Sequence, residues 1–266
     1  MVTATVLNQN GELATGLVRE DFQLLEDSVV QPITHFSADR VPVSLGLLLD
    51  ISDSMRGDRI KDARAAVGRF LFDLLSPDDE FFVMTFNHEP ALLVPWTHEP
   101  DQARPRLETI RPWGSTAIYD AMLAALPEFK TRSRQRAAVV VISDGADTAS
   151  DANVRDVRTA LLRSDAFVYA VAIDAPAKTA INRSIEPYTL RELTDDTGGR
   201  TEVVHDTSEL GEATARIAND LNHQYVLGYS PGRKPDGQYH TIRLRVTKEG
   251  YRVRARRGYV AGPRSD

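Results

Sequence analysis

The chain has 266 residues, 42% of them hydrophobic and 26% charged, the balance of a globular protein whose core is large enough to fold without staples. It contains no cysteine, which excludes disulfides, thiolate metal sites and cysteine nucleophiles. A formal net charge of −6 argues against a general nucleic-acid binder. The longest apolar runs, LGLLLD and AAVVVIS, fall far short of the roughly 18 residues that cross a bilayer.

The opening stretches VTATVLNQNGELATG and DFQLLEDSVVQPITHFS alternate polar and apolar residues around turn signals and predict strands. VSLGLLL predicts a buried strand, and RIKDARAAVGRFLFDLL a helix with Ile60, Ala63, Val67, Phe70, Leu71 and Leu74 on one face. EFFVMTFN is the next strand, followed by ALLVPW as an edge strand stopped by Pro95. Helices are predicted over DQARPRLETI and AIYDAMLAALPEF, then a strand over RAAVVVIS and a helix over NVRDVRTALLR. AFVYAVAI is a strand, PYTLRELTDDTG a helix closed by Gly198, and RTEVV a short strand. TSELGEATARIANDLNHQ predicts a helix opened by Thr207 or Ser208.

The tail QYVLGYSPGRKPDGQYHTIRLRVTKEGYRVRARRGYV returns to alternation, with turns at KPDG and KEG. Its last two strands are expected to form a hairpin that lines up Arg243, Arg245, Arg252, Arg254 and Arg256 on one face, a solvated one or, as the alternative, a docking patch for an acidic partner. Like charges so placed repel, and Glu20, Asp21 and Glu26 are the expected neutralising acids.

Continuous apolar strands separated by helices indicate a mostly parallel sheet buried on both faces. That is a doubly wound, Rossmann-like α/β architecture, expected over residues 41–222. The two β-rich ends, residues 1–40 and 223–262, are expected to build a smaller β domain together.

In such sheets ligands bind beyond the carboxyl ends of the strands. The strand LGLLL ends in Asp50, Ser52 and Ser54, the strand AVVVIS in Asp144, and the loop before AIYDAM supplies Thr116. A strand followed by a helix cap would also explain Asp and Ser at such a place. All five side chains, however, are hard oxygen donors, and the set lacks histidine. That suits Mg²⁺, with Mn²⁺ or Ca²⁺ as substitutes. Two carboxylates and three hydroxyls would leave the ion under-neutralised and open to a carboxylate from outside. Gly114 and Ser115 are expected to give the Thr116 loop freedom to approach or leave the ion.

These residues resemble a known family. DISDSM is similar to the Asp-x-Ser-x-Ser motif of the von Willebrand factor type A domain, GSTAIYDA to its threonine loop, and VVVISDGADT to its second aspartate strand. The resemblance runs from about Pro42 to Leu221 and fills all five motif positions. It implies a metal-ion-dependent adhesion site in which Ser52, Ser54 and Thr116 touch the ion. Asp50 and Asp144 would act largely through water or through the serines. The ends, from GLVREDFQLLEDSVVQPITHFS and from QYVLGYS onward, resemble the flanks of bacterial proteins of this family, acidobacterial ones among them. Ser28 in LEDSVV departs from the glycine on which those proteins often turn.

The expected function is a non-enzymatic, divalent-metal-dependent binding module whose protein partner supplies an Asp or Glu; neither nucleic acid nor membrane insertion is expected. Two alternatives stand beside it. One is phosphotransfer of the haloacid-dehalogenase type, which needs an acid two residues after Asp50, where Ser52 stands. The other is a structural subunit whose metal only stiffens loops. Walker, nucleophile-elbow, dinucleotide-binding and H-E-x-x-H motifs are missing. His35, His88, His98, His205, His223 and His240 are scattered without ligand spacing and are expected to be surface or singly bonded residues. Trp96 and Trp113 are expected to be loop residues that anchor packing. The start of the chain lacks the basic, apolar and small-residue succession of a secretory signal. A precursor could carry one, so compartment and oligomeric state stay open.

Overall fold

Eight consecutive residues, Val43–Asp50, are buried from end to end, which a strand achieves only when both faces of its sheet are covered. This strand is the hub of the fold. The computed structural model describes residues 1–144, 146–173, 187–232 and 236–262. The chain begins with four strands, β1 (Val2–Leu7), β2 (Phe22–Glu26), β3 (Val29–Gln31) and β4 (His35–Ser37). The hub strand β5 (Val43–Asp50) leads into α1 (Asp58–Arg69), which a π turn extends over Phe70–Leu74. Next come β6 (Glu80–Phe86), β7 (Pro90–Thr97), the short α2 (Arg104–Thr109) and α3 (Ile118–Glu128). The alternation continues through β8 (Arg136–Ser143), α4 (Val154–Arg163), β9 (Phe167–Ile173), α5 (Pro187–Thr197), β10 (Thr201–Val204) and α6 (Leu210–Asn222). Four strands close the chain: β11 (Tyr225–Gly228), β12 (Tyr239–Val246), β13 (Arg252–Ala255) and β14 (Gly258–Val260).

The central sheet runs β10-β9-β8-β5-β6-β7 and is parallel except for the edge strand β7. Side chains alternate across it. Leu45, Leu47 and Leu49 join α1 and α6 in one core, while Leu48, Phe82 and Phe129 join α3 and α4 in the other. Gly46 makes this crossing possible, because a Cβ there would lie 2.5 Å from the Phe82 ring. From β5 the chain moves outward to β6, then returns to β8 on the other side. That reversal opens a crevice at the carboxyl end of β5, where α/β sheets bind ligands.

Strands from the two ends pair with each other. One four-stranded sheet runs β13-β1-β11-β4 and another β14-β12-β2-β3. Val2, Ala4 and Val6 of the first share a core with Phe22, Leu24, Ile242 and Leu244 of the second, with Phe22 and Tyr225 rings 5.1 Å apart. The central sheet joins this unit through buried polar bonds. Arg136 donates to the Leu221 carbonyl at 2.9 Å and to Gln224, and Gln224 donates to Tyr169 Oη at 3.0 Å and Thr5 Oγ1 at 3.3 Å. Burial pushes the Tyr169 hydroxyl above its ordinary range, so it stays a neutral member of the set.

Several sequence expectations are corrected. Pro95 does not stop β7, because irregular register opposite Phe81–Met84 relieves the ladder at that edge. The helix over residues 101–110 is a 3₁₀ turn followed by six helical residues, divided at Ala103 ahead of Pro105. The last helix is opened by Asp206, whose side chain accepts from Ser208 N and caps a 3₁₀ turn, not by Thr207 or Ser208.

The final hairpin does not form: β12 pairs with β2 and β14, whereas β13 pairs with β1 in the other sheet. The arginines are dispersed accordingly. Arg254 pairs with Asp220 at 2.7 Å, Arg245 donates to Gln23 at 2.6 Å, and Arg256 donates to the Ser164 carbonyl at 2.9 Å. The expected neutralising acids have other partners. Glu20 pairs with Arg19, Asp21 with Lys248, and Glu26 is buried under the hydroxyls of Tyr229 and Tyr259. His240 is buried between Asp27 and Asp236, so it is neither a surface nor a singly bonded histidine. Lys234 and Pro235 of the expected KPDG turn lie outside the described residues.

Candidate metal centre

The apolar run of β5 ends on Asp50, a carboxylate with no exposed surface. Two donors satisfy it: Ser52 N–H bonds Oδ1 at 2.8 Å, and Ser143 Oγ–H bonds Oδ2 at 2.5 Å. Burial pushes the Asp50 carboxyl up to about 6, against the pull of these Ser143 and Ser52 bonds, and the nearby Asp144 charge adds to the rise. Beyond Asp50 the chain turns through a 3₁₀ segment, Asp53–Met55, held by Met55 N to the Ser52 carbonyl at 3.0 Å. Met55 is buried as the apolar anchor of this turn, which leaves Ser52 and Ser54 side by side with their hydroxyls 3.0 Å apart.

The second strand closes the arrangement. Asp144 follows β8 directly, and its Oδ1 accepts from Ser54 Oγ at 2.6 Å. Its Oδ2 accepts from Arg59 Nη1 at 2.5 Å, and the same nitrogen donates to the Ser54 carbonyl at 2.9 Å. Asp50, Ser52, Ser54 and Asp144 thus form one hydrogen-bonded group across the ends of β5 and β8.

Thr116 bonds none of these four residues directly; its backbone is tied to the segment that follows β8. Its N–H donates to Thr148 Oγ1 at 3.1 Å, and its carbonyl accepts from Thr148 N at 2.8 Å and Ala149 N at 3.0 Å. The same loop bonds to the Asp50 turn, with Trp113 N on the Ile51 carbonyl at 2.8 Å and Asp53 N on the Gly114 carbonyl at 2.9 Å. Gly114 has φ +80°, and a Cβ there would approach His88 Nδ1 to 3.1 Å. The glycine therefore serves a tight turn, and the loop backbone is pinned on both sides of Thr116 instead of free as expected. Freedom is left to the Thr116 side chain, whose hydroxyl bonds no described residue.

Two contributors escaped the sequence reading. Ser143 is the last residue of a strand buried on both faces, so alternation does not reveal which way it points; its place directly before Asp144 is the only cue. Arg59 lies in the first turn of a helix, where basic residues are ordinarily solvated. Trp113 is half exposed beside the site, in edge contact with His88 at 4.6 Å, and is not the expected packing anchor. Trp96 anchors packing, but from within β7, against Phe82 and Phe129. Asp53 is exposed and pairs with Arg56 at 2.7 Å, so it gives no second acid facing Asp50.

All donors of the cluster are oxygens, two of them carboxylates, which is the set a hard cation takes. Among the described residues no three His, Cys, Asp or Glu side chains converge on one point. A cation here would depend on the hydroxyls of Ser52, Ser54 and Thr116 and on water. The residues present fit a Mg²⁺-type ion.

The chain is also similar to known proteins. The family model of the von Willebrand factor type A domain matches residues 45–146. Human inter-alpha-trypsin inhibitor heavy chain H4 is 24% identical over 220 residues, 77% of this chain and 23% of that protein. The chain spans less than a quarter of the length of the human and bovine heavy chains H4 that it matches. Among solved structures, a von Willebrand factor type A protein from Catenulispora acidiphila superposes with a TM-score of 0.60 at 14% identity, covering 100% of this chain and 74% of that one. BatB from Bacteroides thetaiotaomicron gives 0.55 at 21% identity, over 67% and 98% of the two chains. These likenesses extend the shared fold beyond the matched segment. The segment that carries the oxygen cluster, residues 45–146, belongs to the von Willebrand factor type A domain family.

Proposed function

We propose that this chain is a metal-dependent protein-binding module: Ser52, Ser54 and Thr116, backed by Asp50 and Asp144, hold a divalent cation, and a partner's Asp or Glu completes its coordination. The family supports the coarser part of this reading, since its members commonly mediate metal-dependent protein interactions and are generally not enzymes. The finer part rests on one observation: the Ser52–Ser54–Asp144 contacts gather neutral and anionic oxygens at the crevice beside β5. When bound, the cation supplies a Lewis-acidic point for a carboxylate. The protein's own part is to hold Asp50 in place through Ser52 and Ser143 and to leave the Thr116 hydroxyl uncommitted. A phosphotransfer reading finds no support, because the position two residues after Asp50 is a serine bonded into the turn.

Charge balance adds a directional element. An arriving carboxylate disfavours direct ligation by Asp144 and favours the neutral Thr116 hydroxyl, so the partner selects a Thr116-ligated form. The test uses acetate as a minimal carboxylate and Mn²⁺ as the ion, titrated by electron paramagnetic resonance. Acetate should tighten Mn²⁺ binding in the wild type. Thr116→Ala should keep most of the metal affinity and lose this enhancement. Equal losses of both would reduce the centre to a static clamp.

A further inference from the structure

Arg59 is a charged residue of the centre that the proposed ligand set does not use. It enters from the first turn of α1, and its Nη1 bridges Asp144 Oδ2 at 2.5 Å and the Ser54 carbonyl at 2.9 Å. The Asp144 side chain is fully buried and that of Arg59 only 22% exposed, so the pair is poorly screened. Arg56, which precedes the helix at the end of the 3₁₀ segment, is spent at the surface on Asp53. The guanidinium thus sits on the second carboxylate of the cluster, on the oxygen that Ser54 does not take.

We infer that Arg59 is a built-in counter-cation that weakens divalent-ion binding and leaves the loaded centre with net positive charge, selecting an anionic partner. This deepens, and rests on, the metal reading above. Contrary to the expectation from the sequence, the two carboxylates alone balance a divalent ion, so without Arg59 the centre would hold the ion with no call for an outside anion. With Arg59, one positive charge is left over, and a carboxylate is the ligand that offsets it.

Arg59 also holds Asp144 in place, and the two roles predict opposite signs. If Arg59 only positions Asp144, its removal loosens a ligand and weakens the metal. If its charge dominates, its removal tightens the metal. Removing one charge a few ångströms from a divalent ion should change affinity by about tenfold or more at the dielectric of a partly buried site.

The experiment is Mn²⁺ titration of the full chain, by calorimetry and electron paramagnetic resonance, in the wild type, Arg59→Gln and Arg59→Lys, with circular dichroism confirming the fold. Arg59→Gln should bind Mn²⁺ about tenfold tighter, and Arg59→Lys, which keeps the charge, should stay within about threefold of the wild type. Binding by Arg59→Gln that is unchanged or weaker, while the wild type binds, overturns the inference and leaves the metal reading intact. Binding by none of the three overturns both.

Discussion

Removing the Ser143 hydroxyl should destabilise the chain in a pH-dependent way. Ser143 Oγ lies 2.5 Å from Asp50 Oδ2, and Asp50 is wholly buried, so Ser143→Ala leaves that oxygen without this donor. Burial holds the Asp50 carboxyl at about 6 in the folded chain, above its ordinary 3.8. The folded state therefore keeps the proton to higher pH than the unfolded state. Stability falls as pH rises from about 4 to about 6 and levels off beyond. Above that window Ser143 donates to a carboxylate, a bond worth about 1.5–3 kcal/mol; below it the bond is between neutral groups and worth about 1 kcal/mol. The deficit of Ser143→Ala should thus be about twice as large at pH 8 as at pH 4.5. Urea unfolding at both pH values with chelator present, followed by tryptophan fluorescence and circular dichroism, measures it. Ser143→Thr, which keeps the hydroxyl, should lose less. An equal deficit at the two pH values, or one below about 0.5 kcal/mol at pH 8, would show that Asp50 does not lean on Ser143.

Two further outcomes follow from the β sandwich. Asp27 and Ser28 both have positive φ, 47° and 69°. Asp27 recovers the cost by accepting from Thr241 N at 2.9 Å, but Ser28 is exposed and has no such return. Ser28→Gly should therefore gain about 0.5–1 kcal/mol, or about 1–4 °C in melting temperature, and an unchanged or lower melting temperature would refute this. The bonds to Asp27 and Asp236 raise the His240 imidazolium above its ordinary 6.5, so its stabilisation is complete below that value and is lost as pH rises through the raised one. The gap in melting temperature between the wild type and His240→Gln should be wide near pH 6 and narrow near pH 9; a gap that widens with pH would contradict the assignment.

What the sequence disclosed depends on how local the physics is. The unbroken apolar run of β5 marked a strand covered on both faces, whereas the close approach of Phe82 to Gly46 inside it emerged only from the fold. Asp50, Ser52 and Ser54 were legible because a strand end and a turn follow one another in the chain. Asp144 and Thr116 were legible only as separate motifs; that their segments converge depends on the β8-β5-β6 order. Pairing partners were the hard part. Alternation in residues 239–246 and 252–255 announces two strands and says nothing of their neighbours, so their division between two sheets stayed hidden. The role of Arg59 stayed hidden for the same reason, since its partner Asp144 is 85 residues away.

The most direct test of the account is calorimetric titration of Mg²⁺ into the wild-type chain and into Asp50→Ala. The account predicts about one site per chain in the wild type and none in Asp50→Ala, because that carboxylate anchors the turn from which Ser52 and Ser54 project. Unchanged Mg²⁺ binding in Asp50→Ala, or no Mg²⁺ binding in the wild type, would contradict it.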